Sequence, residues 1–262
     1  MPRLCFTITA LRDQKTIRGF RQLLEKKLFQ GIEIFYPYQL DEIEMERYRD
    51  DIEFIINKLD VEVVMHLPFG GLDNDLVLGE NVMLRFFNAI DYASYFNVKK
   101  FTLHLGSAKG EDYLDKSVLN LQKLCDYASH YDANIMIENM PSSEEVGSNL
   151  EELEYLFKNV KRKNLKLIYD TGHGHASLKD TNKEVELLKK LRPYLYHIHV
   201  NDNDSTRDAH ARIGAGNIEF DKIFSCIKAY EELYCLEILF ESNQDLINYR
   251  NDLLEIFKKI DK

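Results

Sequence analysis

Eight times along this chain of 262 residues, a short apolar run rich in β-branched and aromatic side chains precedes an amphipathic stretch. The runs are LCFTITA (4–10), GIEIFYP (31–37), VEVVMHLPF (61–69), KKFTLHLG (99–106), ANIMIENM (133–140), LKLIYDTGH (165–173), LYHIHVND (195–202) and CLEILFES (235–242). Between them, segments such as DEIEMERYRDDIEFIINKLD and YLDKSVLNLQKLCDYASHY repeat apolar residues at helical spacing. Strands separated by helices of this length make βαβ units and a parallel sheet. Eight such units in 262 residues is the arithmetic of a (β/α)8 barrel, the TIM-barrel architecture. A doubly wound sheet is the competitor, but it needs a glycine-rich phosphate turn after its first strand, and ALRDQKT is not one. No linker or low-complexity tract interrupts the alternation, so the sequence predicts one α/β domain over residues 1–262.

The histidines are distributed unevenly over that pattern. Seven of the eight fall in short segments that end the apolar runs, with acidic residues beside or between them. Those segments are VVMHLPFG (His66), FTLHLGS (His104), IMIENMP (Glu138), LIYDTGHGH (Asp170, His173, His175), YHIHVND (His197, His199), RDAH (Asp208, His210) and LFESN (Glu241). Imidazole with carboxylate is the ligand mix of zinc, manganese and iron sites. Side chains at the C-terminal strand ends of a barrel turn toward the axis, so residues far apart in sequence meet there. Glu138, Asp170, His199 and Glu241 are expected to share one divalent ion, with His66 and His104 entering from the opposite rim. Asp208 and His210 belong to the loop after strand seven, and His173 lies just beyond strand six. Nine donors exceed what one ion takes, and they suit a cluster bridged by Glu138.

The smaller features have blander readings. Glu33 ends strand two and is expected to face substrate or to make a rim salt bridge. His175 reads as a loop residue, His197 as an inward core histidine one layer below His199, and His130 as an exposed helix end. Asn139, Asn201 and Asp202 neighbour ligands and suit outer partners that orient imidazoles. Gly214 and Gly216 are expected to shape the loop before helix seven. The longest loops (70–80, 141–148 and 203–217) all follow strands and therefore gather on the same face as the donors.

Composition narrows the function classes. With 45% hydrophobic and 30% charged residues the chain is an ordinary globular one. A net charge of −10 disfavours a nucleic-acid footprint, though bound cations offset part of that charge. Four cysteines without CxxC spacing read as buried thiols in a reduced compartment, and no run is long and apolar enough for a signal peptide or membrane span. A cytosolic protein without a membrane partner is expected. Oligomeric state stays open.

The order H…H…E…DTxH…HxND…DxH…GxG…E, carried above all by DTGH and HVND…DAHARIGAGNI, resembles the xylose isomerase-like TIM-barrel superfamily. That superfamily includes endonuclease IV and many sugar-phosphate isomerases and epimerases, and the resemblance runs from His66 to Glu241. Its endonuclease IV branch implies one zinc on His66, His104 and Glu138, a second on Glu138, Asp170, His199 and Glu241, and a third on His173, Asp208 and His210. Its isomerase branch implies a single Mn²⁺, Co²⁺ or Mg²⁺ on Glu138, Asp170, His199 and Glu241. Glu138 and Glu241 then act as base and acid through an enediol, with His173 beside them, Arg207 or Arg212 matching the arginine that epimerases place after the strand-seven histidine, and Arg212 and Asn139 expected to contact substrate. The segments LPFGGLDND and GHASLKD depart from the DNA-reading parts of endonuclease IV. The sequence reading therefore ranks a metal-dependent sugar or sugar-phosphate isomerase or epimerase first. The alternative is an endonuclease IV-like zinc phosphoesterase, and a non-catalytic metal-binding barrel stands third. One to three ions, Zn²⁺ or Mn²⁺, are expected per chain.

Overall fold

Eight parallel strands close into a barrel in chain order: β1 (Arg3–Ile8), β2 (Gly31–Phe35), β3 (Glu62–His66), β4 (Lys100–Leu103), β5 (Asn134–Glu138), β6 (Leu165–Asp170), β7 (Leu195–Val200) and β8 (Leu233–Leu236). The coordinates are a computed structural model that describes residues 2–8, 19–37, 42–71, 74–77, 82–228 and 230–260. Around the strands lie α1 (Arg21–Glu25), α2 (Glu42–Leu59), α3 (Val82–Ser94), α4 (Tyr113–Ser129) and α5 (Leu150–Val160). They are followed by α6 (Thr171–Leu178), α7 (Thr181–Leu191), α8 (Phe220–Cys226) and α9 (Asn243–Ile260). The expected (β/α)8 architecture is present. The predicted end of strand one at 9–10 and parts of the loop at 70–80 lie outside the described residues. Among the described residues no helix is long and apolar enough to cross a membrane.

Alternate residues of a barrel strand face the axis. The outward set, including Phe6, Ile34, Phe101, Ile137, Leu167 and Val200, packs on the helices in one continuous core. Each fully buried Leu, Ile or Phe there contributes roughly 1.5–3 kcal/mol. The inward set is layered. At the N-terminal mouth, Lys100 Nζ meets Glu62 at 2.6 Å and Glu232 at 2.7 Å, and Arg3 reaches Glu62 at 2.6 Å. Above this ionic plug sits a small layer of Cys5, Val64, Met136, Ile168, Leu233 and Cys235. The next step up each strand brings the polar residues Thr7, His66, Glu138, Asp170 and His199 to the C-terminal mouth, four of the five fully or almost fully enclosed. A register shift between Leu167 and Ile168 sets Ile168 opposite His197 and Asp170 opposite His199. That shift keeps both histidines in the inward column.

Candidate metal centre

The C-terminal mouth gathers donors in three adjoining groups. His66, His104 and Glu138 form one; Glu138, Asp170, His199 and Glu237 a second; His173, Asp208 and His210 a third. Within each group one donor atom per residue lies within 4.8 Å of the others. Glu138 belongs to two groups, with Oε2 3.0 Å from His104 Nε2 and Oε1 3.0 Å from His199 Nδ1. His173 and His210 both reach Asp208 Oδ2 through Nε2, at 3.3 and 3.0 Å. Eight of the nine expected donors are therefore brought together.

The ninth is a correction. Glu241 is exposed, and its backbone N–H is taken by Asp245 Oδ2 at 3.1 Å. The apolar run CLEILFES outlasts β8, which ends at Leu236. Glu237 is the first residue beyond it, held by Glu237 N–H donating to Val200 O at 3.2 Å, and its Oε2 lies 2.9 Å from His199 Nδ1. Positions 237 and 241 share strand parity, but the chain leaves the strand before 241, and Glu241 belongs to none of the donor groups. The acid or base role expected of Glu241 cannot be met from there.

The donors are oriented as ligands require. Nδ1–H of His66 donates to Leu67 O at 2.8 Å, that of His173 to Asn139 O at 3.0 Å, and that of His210 to Glu237 O at 3.0 Å. Each bond fixes the tautomer that leaves the Nε2 lone pair facing the centre, the arrangement found around metal-ligating imidazoles. His210 adopts φ 42°, a left-handed backbone that costs energy for a non-glycine residue and tends to persist at functional sites. Asp170 caps α6 through Oδ1 on His173 N–H at 2.6 Å, while Oδ2 accepts from Asn201 Nδ2 at 2.7 Å. Burial, then the Glu237 and Glu138 charges, lift Asp170 to about 7 against the pull of His173. Burial works on Glu138 in the same direction, but the His199 and His104 imidazoles outweigh it and hold that carboxyl well below its usual range. So dense a set of buried carboxylates and imidazoles fits divalent cations and has no apolar purpose.

Three expected substrate contacts are placed differently. Glu33 is completely buried beneath the donors, bound to His197, His199 and Thr102, so it reaches neither substrate nor rim. Asn139 ties the ends of β5 and β6 together by donating to Asp170 O at 3.0 Å and accepting from Asp170 N–H at 2.7 Å. It serves the centre through Asp170 and His173 instead of contacting substrate. Arg212 is exposed on the loop after β7, away from the cavity wall. Asp202 organises that loop, accepting from Gly214 N at 2.8 Å and Gly216 N at 3.1 Å.

His175, expected in a loop, lies buried in α6 between Glu184 at 3.0 Å and Asn217 at 2.7 Å. The helix was hidden by Gly172 and Gly174, which have poor helix propensity. Tight packing requires them, since a Cβ at 174 would overlap the Tyr169 hydroxyl and one at 172 the Asn201 carboxamide. Gly174→Ala is therefore expected to destabilise the fold by about 1–3 kcal/mol despite its better helix propensity. A lower denaturant midpoint at unchanged m checks this.

Above the donors opens a cavity of about 350 Å³. His66, His104, His173, Asp208, His210 and Glu237 form its floor, with walls from Phe35, Phe69, Met140, Ile238 and Leu239. His66 stacks on Phe35 with ring centroids 4.5 Å apart. Glu145, which sequence reasoning missed, enters from the loop after β5, and burial raises its carboxyl pKa. No lysine or arginine among the described residues lines this cavity.

Comparison with known proteins agrees with this geometry. The chain is 29% identical over 185 residues to an uncharacterised protein of Methanocaldococcus jannaschii, covering 66% of this chain and 62% of that one. It is 32% identical over 143 residues to a probable endonuclease 4 of Mycoplasma capricolum, covering 50% of this chain and 49% of the relative. The matches thus span about half to two thirds of these relatives' length. Among solved structures, a D-tagatose 3-epimerase-like protein superposes with TM-score 0.80 over 98% of both chains at 23% identity, a likeness of fold. The sequence model of the xylose isomerase-like TIM-barrel family matches residues 23–258, and the chain belongs to that family.

Proposed function

We propose that this protein is a metal-dependent phosphoester hydrolase working with three divalent ions, zinc foremost, on a small phosphate ester. The observation that carries the reading is the third donor group: His173, Asp208 and His210 converge beside the other two, a further complete donor set that single-ion proton-transfer chemistry does not need as ligands. The probable endonuclease 4 relative supports the same class. Duplex DNA is the less favoured substrate, because the chain carries a net charge of −10 and no lysine or arginine among the described residues lines the cavity.

Ions held on the three groups supply Lewis acidity toward phosphoryl oxygens and lower the pKa of water. The protein's own groups do the rest. Glu138, spanning two donor groups, sets the spacing between them. Phe35, Phe69, Met140 and Leu239 give the cavity apolar walls, which lower the local dielectric and strengthen electrostatic contacts beside them. Glu145 faces the same space and is placed to hold a proton near the leaving oxygen.

Sugar isomerisation or epimerisation is the second reading, favoured by the apolar-walled, monosaccharide-sized cavity and by the two carboxylates, Glu138 and Glu237, of the central donor group, of which Glu237 lines the cavity floor. His210→Ala separates the two. The hydrolase is expected to lose about 100-fold in kcat on a nitrophenyl phosphate ester, the scale of removing one group that stabilises transition-state charge, together with one bound ion. Ester hydrolysis kept intact in His210→Ala would remove the three-ion mechanism, and a wild type that hydrolyses no phosphate ester but epimerises a ketose, with that turnover kept in His210→Ala, would favour the isomerase.

A further inference from the structure

Directly beneath the donors lies a carboxylate that ligates nothing in the three groups. Glu33 on β2 is completely buried, as are His197, His199 and Thr102 around it. Its Oε2 accepts from His199 Nε2–H at 2.9 Å and from His197 Nε2–H at 3.0 Å, while Oε1 accepts from Thr102 Oγ1–H at 2.6 Å. The other nitrogen of His199, Nδ1, faces Glu138 at 3.0 Å and Glu237 at 2.9 Å. One imidazole therefore spans the distance from Glu33 to the central donor group. His199 is the only imidazole in that group, and it lacks the backbone-carbonyl anchor that orients His66, His173 and His210.

A buried carboxylate is costly unless its lone pairs are satisfied, and three donors from two strands, β4 and β7, satisfy this one. A carboxylate on the far nitrogen of an imidazole fixes the tautomer, locks the ring plane and raises the basicity of the near nitrogen. We infer that Glu33 is the positioning residue of the central metal site: it holds His199 with the Nδ1 lone pair aimed at the ion, and His197 and Thr102 hold Glu33. This rests on the reading that the donor groups bind ions, though not on which reaction they serve.

The same atoms admit one other arrangement. Glu33, His197, His199 and Cys235 offer donors within 4.8 Å of one another, so Glu33 would itself be a ligand of a deeper ion. Its oxygens, however, already accept three hydrogen bonds, and taking His199 Nε2 as a ligand would displace one of them. The outer-partner role keeps every bond that the structure contains.

The test is metal titration of the full chain, stripped by chelator and reloaded with Co²⁺, in wild type and Glu33→Gln. The variant is expected to weaken one ion of the set by about 10–100-fold and to alter the visible Co²⁺ bands of that ion. The remaining ions, the far-UV spectrum and the fold should be kept. Unchanged Co²⁺ affinity and spectrum would overturn the inference. So would a fourth ion lost in both Glu33→Gln and Cys235→Ser, because Glu33 would then be a ligand. If Glu33→Gln does not fold, Thr102→Val decides, since it frees Oε1 alone. A several-fold loosening of the same ion supports the role and no change removes it. Ion affinity, not turnover, is the readout, so a wild type that binds its ions but hydrolyses no phosphate ester would sink the proposed function and leave this inference standing. A wild type that binds no ion would sink both.

Discussion

Glu138→Ala is expected to release ions from two donor groups at once and to lower phosphoester turnover by on the order of 1000-fold or more. Loss of a mere outer partner of a metal ligand costs about 10–100-fold, and Glu138 is a donor shared by two groups. Its carboxylate meets His104 at 3.0 Å, His199 at 3.0 Å and His173 at 3.3 Å while completely buried. Alanine removes the counter-charge of three imidazoles and leaves a cavity in the most densely polar part of the barrel. Glu138→Gln separates these effects, since it keeps the volume and loses the charge. Elemental analysis beside the kinetic assay is the check: both variants should hold at least one ion fewer than wild type. A Glu138→Ala protein with full ion content would show that the first and second groups are held apart without a bridge.

The barrel and most of the centre were legible in the sequence because both rest on short-range rules. Strand and helix periods follow from where apolar side chains recur, and a donor at a strand's C-terminal end must face the barrel mouth. What failed was depth along the strand. Glu237 and Glu241 obey the same alternation, and only the point where pairing with β7 stops, after Val200 and Leu236, distinguishes them. The apolar residues Ile238, Leu239 and Phe240 prolonged the apparent strand; in the structure Ile238 and Leu239 instead wall the cavity. Glu33 was misjudged for a related reason. As a carboxylate near a strand end it reads as exposed, whereas its pairing with Val64, two residues below His66 on β3, sets it beneath the donors. No local signal tells a partner 166 residues away (His199) from solvent. His175 and α6 were concealed by glycines whose reason is tertiary, the approach of Tyr169 and Asn201.

The layering has a consequence for how the centre is built. From the ionic plug of Arg3, Glu62, Lys100 and Glu232 up to the donors, the inward side chains Thr102, Glu33, His197 and His199 are tied to one another across strands. Imidazoles held by such partners are positioned by the fold, so part of the cost of assembling the ligands falls on folding and not on metal binding.

Metal binding is accordingly expected to release protons and to strengthen steeply with pH. In the ion-free protein, burial disfavours charge on His210, but the Asp208 hydrogen bond and the Glu237 and Asp170 charges outweigh it and lift the ring to about 10. His173 is held well above its ordinary value by Asp170, Asp208 and Glu138 in the same way, again against burial. Near neutral pH both rings are therefore protonated, and an ion must displace those protons to reach the nitrogens. Affinity should rise by about tenfold per pH unit for each proton displaced. Protons on Asp170, lifted to about 7, add to the loss on the acid side. Stability carries the opposite sign when the ion is absent. The folded pKa of His210 lies above its unfolded value of 6.5, so its pairing stabilises fully below 6.5 and the contribution is lost as pH rises through about 10. A bound cation replaces that proton, so the gap in melting temperature between loaded and chelated protein should widen toward alkaline pH. Calorimetric titration in two buffers of different ionisation enthalpy counts the protons directly. An affinity that does not change across neutral pH, with no proton released, would mean that His173 and His210 are not ligands and that the third ion, and with it the hydrolase, must be abandoned.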